Sequence, residues 1–351
     1  MSKNFKKGAA LKRKYTISFL ILVLAIAFAG CAHDCPKGEG IGPTLVEVET
    51  EVTLDLVLVP LQTVTNKARS GTTRAEAQPE YRRRFIVEAW REGKPVARQV
   101  TVLEEAEEDG EDITLPARLK LPAVQYTLVV WTDYVAAGTD IDLYYDTRDL
   151  QRVACRAPYA GSTDYRDCLY GTASLDLWPY RDEWNARVQV WVDMVRPLAK
   201  YELVATDVQK FLEKARRRSG EGGEGTYTVT VSYGFYIPLG FNVLTGTPDR
   251  SEMGVTFSAP FTVTGDGSGA CTIASDYIFV NGEEAYIPLS IEIKDDDGNG
   301  ISRTTGIDVP YRRGHLTTVR GHFLTNRYGT GIGIDPDFDD DDIEIDLDKW
   351  E

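Results

Sequence analysis

The feature that most constrains this chain is a long alternation of apolar and charged residues that begins at Val46. Glu47, Glu49, Glu51, Thr53 and Asp55 occupy every second position. The apolar residues between them are Val46, Val48, Val52, Leu54, Leu56 and Leu58. Because successive side chains of a strand point to opposite faces, a period of two gives one apolar and one charged face. The alternation therefore predicts a half-buried strand over residues 46–59.

Shorter segments that read as strands recur along the rest of the chain, separated by turns. Strands are predicted at residues 85–90, 97–103, 113–121, 126–134, 187–195, 201–205, 227–233, 255–263, 277–280, 286–294, 306–309, 317–324 and 343–347. Residues 91–95 read as the turn of a hairpin. One short helix is predicted after residue 205, capped by Thr206 or Asp207 and carrying Phe211, Leu212 and Ala215.

Composition limits both the domain count and the class of partner. The chain is 42% hydrophobic, and about 320 residues remain beyond residue 30, which is more than one domain usually takes. We therefore predict an all-β chain of two tandem β-sandwich domains, residues 44–196 and 197–351, with the short helix after the junction. Residues 1–30 carry six Lys or Arg and no acid, so their removal takes the net charge from −15 to about −21. Such a charge argues against a nucleic-acid partner.

The N-terminus has the layout of a secretory signal. Six basic residues precede an apolar stretch from about Tyr15 to Phe28, which is too short to span a bilayer as a helix. The segment Phe28-Ala29-Gly30-Cys31 resembles the bacterial lipobox, although Phe28 stands where leucine is preferred. The sequence predicts a signal peptide over residues 1–30, lipid on Cys31 and a Gly- and Pro-rich tether over residues 31–43. Ordinary secretion and an uncleaved anchor helix are the alternatives, and both export the chain.

Four cysteines remain after Cys31, in a compartment that permits disulfides. Cys155 and Cys168 enclose a polar loop and form the best candidate pair, with free thiols as the alternative. Cys35 and Cys271 have no evident partner.

Little in the sequence carries chemistry. His33, His315 and His322 show no metal-ligand spacing, and no Gly-x-Ser-x-Gly segment occurs, so we expect neither catalytic residues nor a cofactor. Asp295, Asp297 and Asn299 match the first half of a calcium loop, but Gly306 stands at the twelfth position. A solvated hairpin turn is the favoured interpretation, and weak calcium binding the alternative.

Several segments together resemble the fimbrillin superfamily of the Bacteroidales, the lipoprotein precursors that build type V pili and their anchors. Residues 126–134, which end in Trp131-Thr132-Asp133-Tyr134, look like the strand of these proteins that ends in a Trp-x-Asp element. Residues 187–204, centred on Arg196-Pro197, look like their interdomain crossover. Residues 307–325 and 343–350 resemble the last two strand regions. The resemblance covers most of residues 44–350.

The resemblance implies two transthyretin-like β-sandwich domains, attachment to the outer membrane by lipid, exposure at the cell surface and assembly with other fimbrial subunits by strand addition. In polymerising pilins an arginine-specific protease cuts after the first strand, whereas anchors and some accessory subunits keep that strand and its lipid. Arg69 and Arg74 lie in a polar segment where such a cut would fall. We favour an anchor or accessory subunit, with a pilin processed after Arg69 or Arg74 as one alternative. A surface glycan-binding or nutrient-capture lipoprotein is the other, and exposed Trp and Tyr in a groove would indicate it.

Overall fold

The computed structural model describes residues 46–55, 81–103, 113–219, 223–265, 269–326 and 343–346. In its first half the strands are β1 (Glu47–Asp55), β2 (Tyr81–Arg91), β3 (Lys94–Val102), β4 (Ile113–Pro122), β5 (Gln125–Ala136), β6 (Tyr145–Asp146), β7 (Val153–Cys155), β8 (Leu169–Asp176) and β9 (Arg187–Asp193). Two 3-10 turns accompany them, at Asp164–Arg166 and Trp178–Tyr180.

The second half contains helix α1 (Val208–Ser219) and ten strands among the described residues. These are β10 (Leu198–Ala205), β11 (Gly225–Tyr233), β12 (Ile237–Asn242), β13 (Thr247–Glu252), β14 (Thr256–Val263), β15 (Cys271–Phe279), β16 (Glu284–Lys294), β17 (Gly300–Arg312), β18 (Leu316–Gly321) and β19 (Ile343–Asp346). The all-β class, with a short helix soon after β10 begins the second half, is confirmed.

The first half is a sandwich of two sheets, in strand orders β4-β1-β9 and β3-β2-β5-β8. Their facing side chains form one apolar core that includes Val48 and Val52 from one sheet and Phe85, Val87 and Leu128 from the other. Strands β2 and β3 are joined by Glu92 and Gly93, with φ of 53° and 75°. Positive φ at both central residues is the two-residue hairpin turn that suits the twist of paired strands, so the predicted hairpin is confirmed.

The second half repeats this layering, in strand orders β15-β10-β18-β19 and β14-β11-β16-β17. Its core includes Tyr201 and Leu203 on β10, Val229 on β11 and Ile291 on β16. Helix α1 closes one side of that core with Phe211 and Leu212, as the sequence predicted. Just before the helix, the carboxylate of Asp207 accepts backbone hydrogen bonds from Leu324 and Thr325, which ties the helix start to the segment after β18.

A fifth sheet takes strands from both halves of the chain, in the order β13-β12-β7-β6. Phe241 of β12 pairs with Val153 of β7, and both side chains are fully buried against Trp131 and Phe279. This third core covers the other face of the β3-β2-β5-β8 sheet. Strands β2 and β5 are consequently buried on both faces along most of their length. The division of the chain at residues 196 and 197 into two domains remains a prediction.

Candidate functional site

Strand β1 occupies the middle of its sheet. On one side it pairs antiparallel with β4, from Glu47 opposite Pro122 to Leu54 opposite Ile113, with a register shift between Glu51 and Thr53. On the other side it pairs parallel with β9, from Glu49 opposite Arg187 to Asp55 opposite Asp193. The backbone groups of β1 therefore satisfy the facing edges of two strands at once.

The inward face of β1 is fully buried from Val48 to Val52. Val48, Thr50 and Val52 each expose 0% of their surface. Val48 and Val52 belong to the same apolar core as Leu119 of β4 and Val192 of β9. Burying a side chain of this size stabilises a fold by roughly 1.5–3 kcal/mol, so β1 contributes substantially to the sandwich. The alternation predicted from the sequence is confirmed from Val46 to Val52, whereas Thr53, predicted on the outer face, is also buried.

The outward face of β1 is polar and contacts both neighbouring strands. Glu49 forms ion pairs with Arg118 of β4, at 2.9 Å, and with Arg187 of β9, at 3.8 Å. Gln189 of β9 donates a hydrogen bond from Nε2 to Thr53 Oγ1 at 3.0 Å. Exposed pairs of this kind add little stability, but they favour one register over its neighbours.

The chain leaves β1 at Asp55 and enters β2 at Tyr81. The predicted processing residues Arg69 and Arg74 lie between these ends, outside the described residues, as do Cys31, its signal peptide and its tether. All of these assignments remain predictions. Connectivity alone shows that residues 56–80 are the covalent link from β1 to the rest of the described chain.

A buried charge cluster connects the two halves of the chain. Arg166, from the first 3-10 turn, forms an ion pair with Asp276 of β15. The other carboxylate oxygen of Asp276 accepts hydrogen bonds from the hydroxyls of Tyr159, at 2.8 Å, and Tyr233, at 2.7 Å. Burial alone would disfavour a charge on Arg166, yet the carboxylate of Asp276 raises the arginine pKa well above its usual range. The guanidinium is therefore charged although it is buried.

A second ion pair lies at the predicted interdomain crossover. Arg196 donates two hydrogen bonds to Asp167, from Nε at 2.6 Å and from Nη2 at 2.8 Å. Such a two-point contact fixes both position and orientation of the guanidinium. Arg313, which follows β17, adds a hydrogen bond from Nε to the backbone oxygen of Arg196 at 3.3 Å. The segment between β9 and β10 is thus held from both halves.

The predicted cysteine pair lies beside this charge cluster. Cys155 and Cys168 are free thiols in the structure, and both contact the core that includes Trp131 and Tyr145. Arg166 Nη2 contacts the sulfur of Cys155 at 3.5 Å. Burial raises the pKa of both thiols, that of Cys168 well above its usual range. The disulfide remains a prediction.

The predicted calcium loop forms the turn between β16 and β17. The carboxylate of Asp295 accepts hydrogen bonds from the backbone nitrogen of Asn299, at 2.7 Å, and from its side-chain nitrogen, at 3.0 Å. These hydrogen bonds lower the pKa of Asp295. The favoured interpretation as a hairpin turn fits this geometry, and weak calcium binding through Asp295, Asp297 and Asn299 remains the alternative prediction. Over the described ranges, no group of three or more His, Cys, Asp or Glu side chains is arranged to hold a metal ion.

One family model matches most of the chain. Residues 43–349 match the model of a family of unknown function, DUF6562. The chain belongs to the DUF6562 family. No curated protein matches it in sequence. Within the described residues of this DUF6562 member, none of the helices has both the length and the apolarity needed to span a bilayer.

Solved structures similar to this DUF6562 chain share little of its sequence. The fimbrial anchor protein Mfa2 from Porphyromonas gingivalis is 11% identical over 74% of this chain and 82% of its own, with a TM-score of 0.36. A Bacteroides ovatus protein provisionally named an adhesin is 12% identical, over 74% and 76%, with a TM-score of 0.39. A Bacteroides thetaiotaomicron protein provisionally named as polysaccharide-binding is 10% identical, over 80% and 94%, with a TM-score of 0.39. The chain is thus similar, at low sequence identity, to a fimbrial anchor protein and to proteins provisionally named as an adhesin and as polysaccharide-binding.

Two features of the site were not predicted from the sequence. Residues 187–195 were predicted to be a strand, but nothing in them indicated parallel pairing with β1. The burial of Arg166 and Asp276 was not predicted either, because each stands among polar or alternating neighbours. The two residues are 110 positions apart, so no local sequence pattern indicates that they pair.

Proposed function

We propose that this chain is a non-enzymatic structural subunit of cell-surface fimbriae, attached to the outer membrane by lipid on Cys31 and joined to other subunits by β-strand exchange. The observation that carries the proposal is the position of β1. This strand follows directly on the predicted tether, and it lies between two partner strands with Val48, Thr50 and Val52 fully buried. One continuous segment would then link the lipid to the centre of the sandwich.

Loss of β1 would open a groove of a specific shape. The facing edges of β4 and β9 would lose their hydrogen-bond partners, and the core around Leu119 and Val192 would be uncovered. An incoming extended segment could satisfy both edges and fill the groove with alternate side chains. Such a segment must pair parallel with β9 and antiparallel with β4, as β1 does.

Of the subunit types, we favour an anchor or accessory subunit that keeps its lipid and β1. With β1 in place, the edges of β4 and β9 that face it are satisfied and the core is covered. The alternative is a pilin that is cut after Arg69 or Arg74. It is favoured by connectivity, because a cut between Asp55 and Tyr81 would separate β1 and its lipid from the rest of the described chain in one step.

N-terminal sequencing of the protein from two fractions, membranes and sheared surface filaments, tests the proposal. An anchor begins at Cys31 and is recovered with membranes. A start at Ser70 or Ala75 in filaments would replace the anchor by the polymerising pilin. Absence of the protein from every filament preparation, and from membranes that carry filament bases, would count against both.

A further inference from the structure

A cavity of about 630 Å³ opens at one end of the β3-β2-β5-β8 sheet. Its floor is a row of paired residues across three strands, with Trp90 opposite Thr127 and Thr127 opposite Ser174. Its walls come from the hairpin turn at Arg91 and Glu92, from the turn between β4 and β5, and from Trp178 of the second 3-10 turn. A volume of this size lies within the range of small-ligand sites.

Trp178 is the aromatic wall of the cavity, and it remains 50% exposed. The backbone holds it firmly. Asp176 Oδ1 accepts a hydrogen bond from the backbone nitrogen of Trp178 at 3.0 Å. The neighbouring Leu177 is fully buried, and its backbone nitrogen donates to the backbone oxygen of Val124 at 3.1 Å. The guanidinium of Arg181 covers part of the indole, with its carbon 4.9 Å from the ring centroid. The backbone of Trp178 is therefore held at the edge of the cavity, and half of its side chain is exposed there.

The groups around this indole are polar but carry little net charge. The hydroxyls of Thr127 and Ser174 and the amide of Gln125 line the cavity. Arg91 and Glu92 also line it and pair with each other at 3.4 Å. The lining thus offers hydrogen-bond donors and acceptors around the indole of Trp178. The opposite charges of Arg91 and Glu92 cancel each other.

A pyranose ring has the matching chemistry, because one face of the ring carries axial C–H groups and its rim carries hydroxyls. Aromatic side chains pack against such faces, and short polar side chains bind the rim. We propose that this cavity binds one ring of a neutral glycan, with Trp178 as the stacking platform and Gln125, Thr127, Ser174 and Glu92 as partners of the hydroxyls. An acidic sugar is disfavoured because the lining has no unpaired cation to receive its carboxylate.

The proposed glycan site is separate from the strand-exchange site. None of the residues that line the cavity belongs to β1. Glycan binding would make the subunit an adhesive one, and it would be measured on the single chain without any fimbrial partner. Failure of either proposal would therefore leave the other unaffected.

Trp184 provides a matched control for Trp178. It lies in the same connection between β8 and β9 and is 84% exposed, but it does not line the cavity. The variants are Trp178→Ala, Trp178→Phe and Trp184→Ala in the full chain. Because both tryptophans are at least half exposed, we expect equal melting temperatures for all of them, and circular dichroism checks that each variant is folded.

Binding is measured by retention of the full-length protein on beads that carry yeast mannan, dextran, arabinoxylan or polygalacturonate, in a polyoxyethylene detergent that has no sugar headgroup. We expect retention on at least one of the three neutral polysaccharides, a loss of about tenfold or more with Trp178→Ala, partial retention with Trp178→Phe, and no change with Trp184→Ala. The proposal is overturned by retention on no neutral polysaccharide, by retention on polygalacturonate alone, or by equal effects of the two alanine variants.

Discussion

The guanidinium of Arg166 and the carboxylate of Asp276 form an ion pair in which the two side chains expose only 3% and 1% of their surfaces. The first residue belongs to the 3-10 turn before β8 and the second to β15, so the pair joins the two halves of the chain. Tyr233 donates to Asp276 and also shares a hydrogen bond with Tyr201 at 2.9 Å. The pair is thus the centre of a network in which Tyr201 and Tyr233 are buried as well.

Removing one partner of this pair should be far more costly than the pair itself is stabilising. Asp276→Ala leaves the Arg166 charge buried without its counterion, and we expect a loss of about 3–5 kcal/mol in the free energy of unfolding. Guanidinium unfolding followed by circular dichroism gives this value. Arg148→Ala is the matched control, because its ion pair with Asp146 lies at the surface and should be dispensable. Equal destabilisation by the two variants would contradict the assignment.

The sequence predicted the fold best where one face of a strand meets water. Buried and exposed side chains alternate along much of β1, β4 and β9, because those strands have one solvated face. Strands β2 and β5 were also predicted as strands, but their burial on both faces was not, and nothing local indicated that Arg84 and Asp133 are buried. In the structure these two side chains are 3% and 1% exposed and pair at 2.9 and 2.7 Å.

Strands that depend on distant partners were not predicted. Strands β6 and β7 are only two and three residues long, which is too short for any periodic signal. Strand β12 contains Pro238 and Gly240, both of which argue against a strand when read locally. Its pairing with β7 joins segments more than eighty positions apart, and only tertiary packing specifies it.

The central position of β1 leads to a prediction about its inward face. Val52→Asp places a carboxylate in the apolar core that includes Val192, and we expect a loss of more than about 3 kcal/mol of stability, since an unpaired buried charge has no compensation there. Glu51→Gln, one residue earlier on the outward face, is the control and should change stability little. Thermal unfolding of the two variants distinguishes them. A tolerated Val52→Asp would mean that β1 is not held in the sheet.

A second test of β1 uses complementation. A specific protease site placed between Asp55 and Tyr81 allows β1 to be cut free, and denaturant then separates it from the remainder. We expect the refolded remainder to bind a synthetic peptide of residues 44–56, whereas a peptide with Asp at positions 48 and 52 should not bind. Fluorescence anisotropy of the labelled peptides measures this difference. Equal binding of both peptides would show that binding does not depend on the apolar face of the peptide.

The disulfide between Cys155 and Cys168 is predicted to form in the exported protein. In the chain-entropy model a loop of about 14 residues contributes about 3 kcal/mol, so a reducing agent should lower the melting temperature. Burial raises the pKa of both thiols, and therefore alkylation of the native protein would miss them even when they are free. The protein must be denatured before alkylation. Non-reducing peptide mapping that recovers both residues as alkylated thiols would rule out the bridge.

Lipid on Cys31 is the prediction on which the attachment of the whole subunit depends. Cys35, four residues further along the predicted tether, provides an internal control because it has the same chemistry but lies outside the lipobox. In cells fed an alkyne analogue of palmitate, we expect the wild-type chain and Cys35→Ala to be labelled and Cys31→Ala to be unlabelled. Label that persists in Cys31→Ala, or that is lost in Cys35→Ala, would move the attachment elsewhere and remove the link between the membrane and β1.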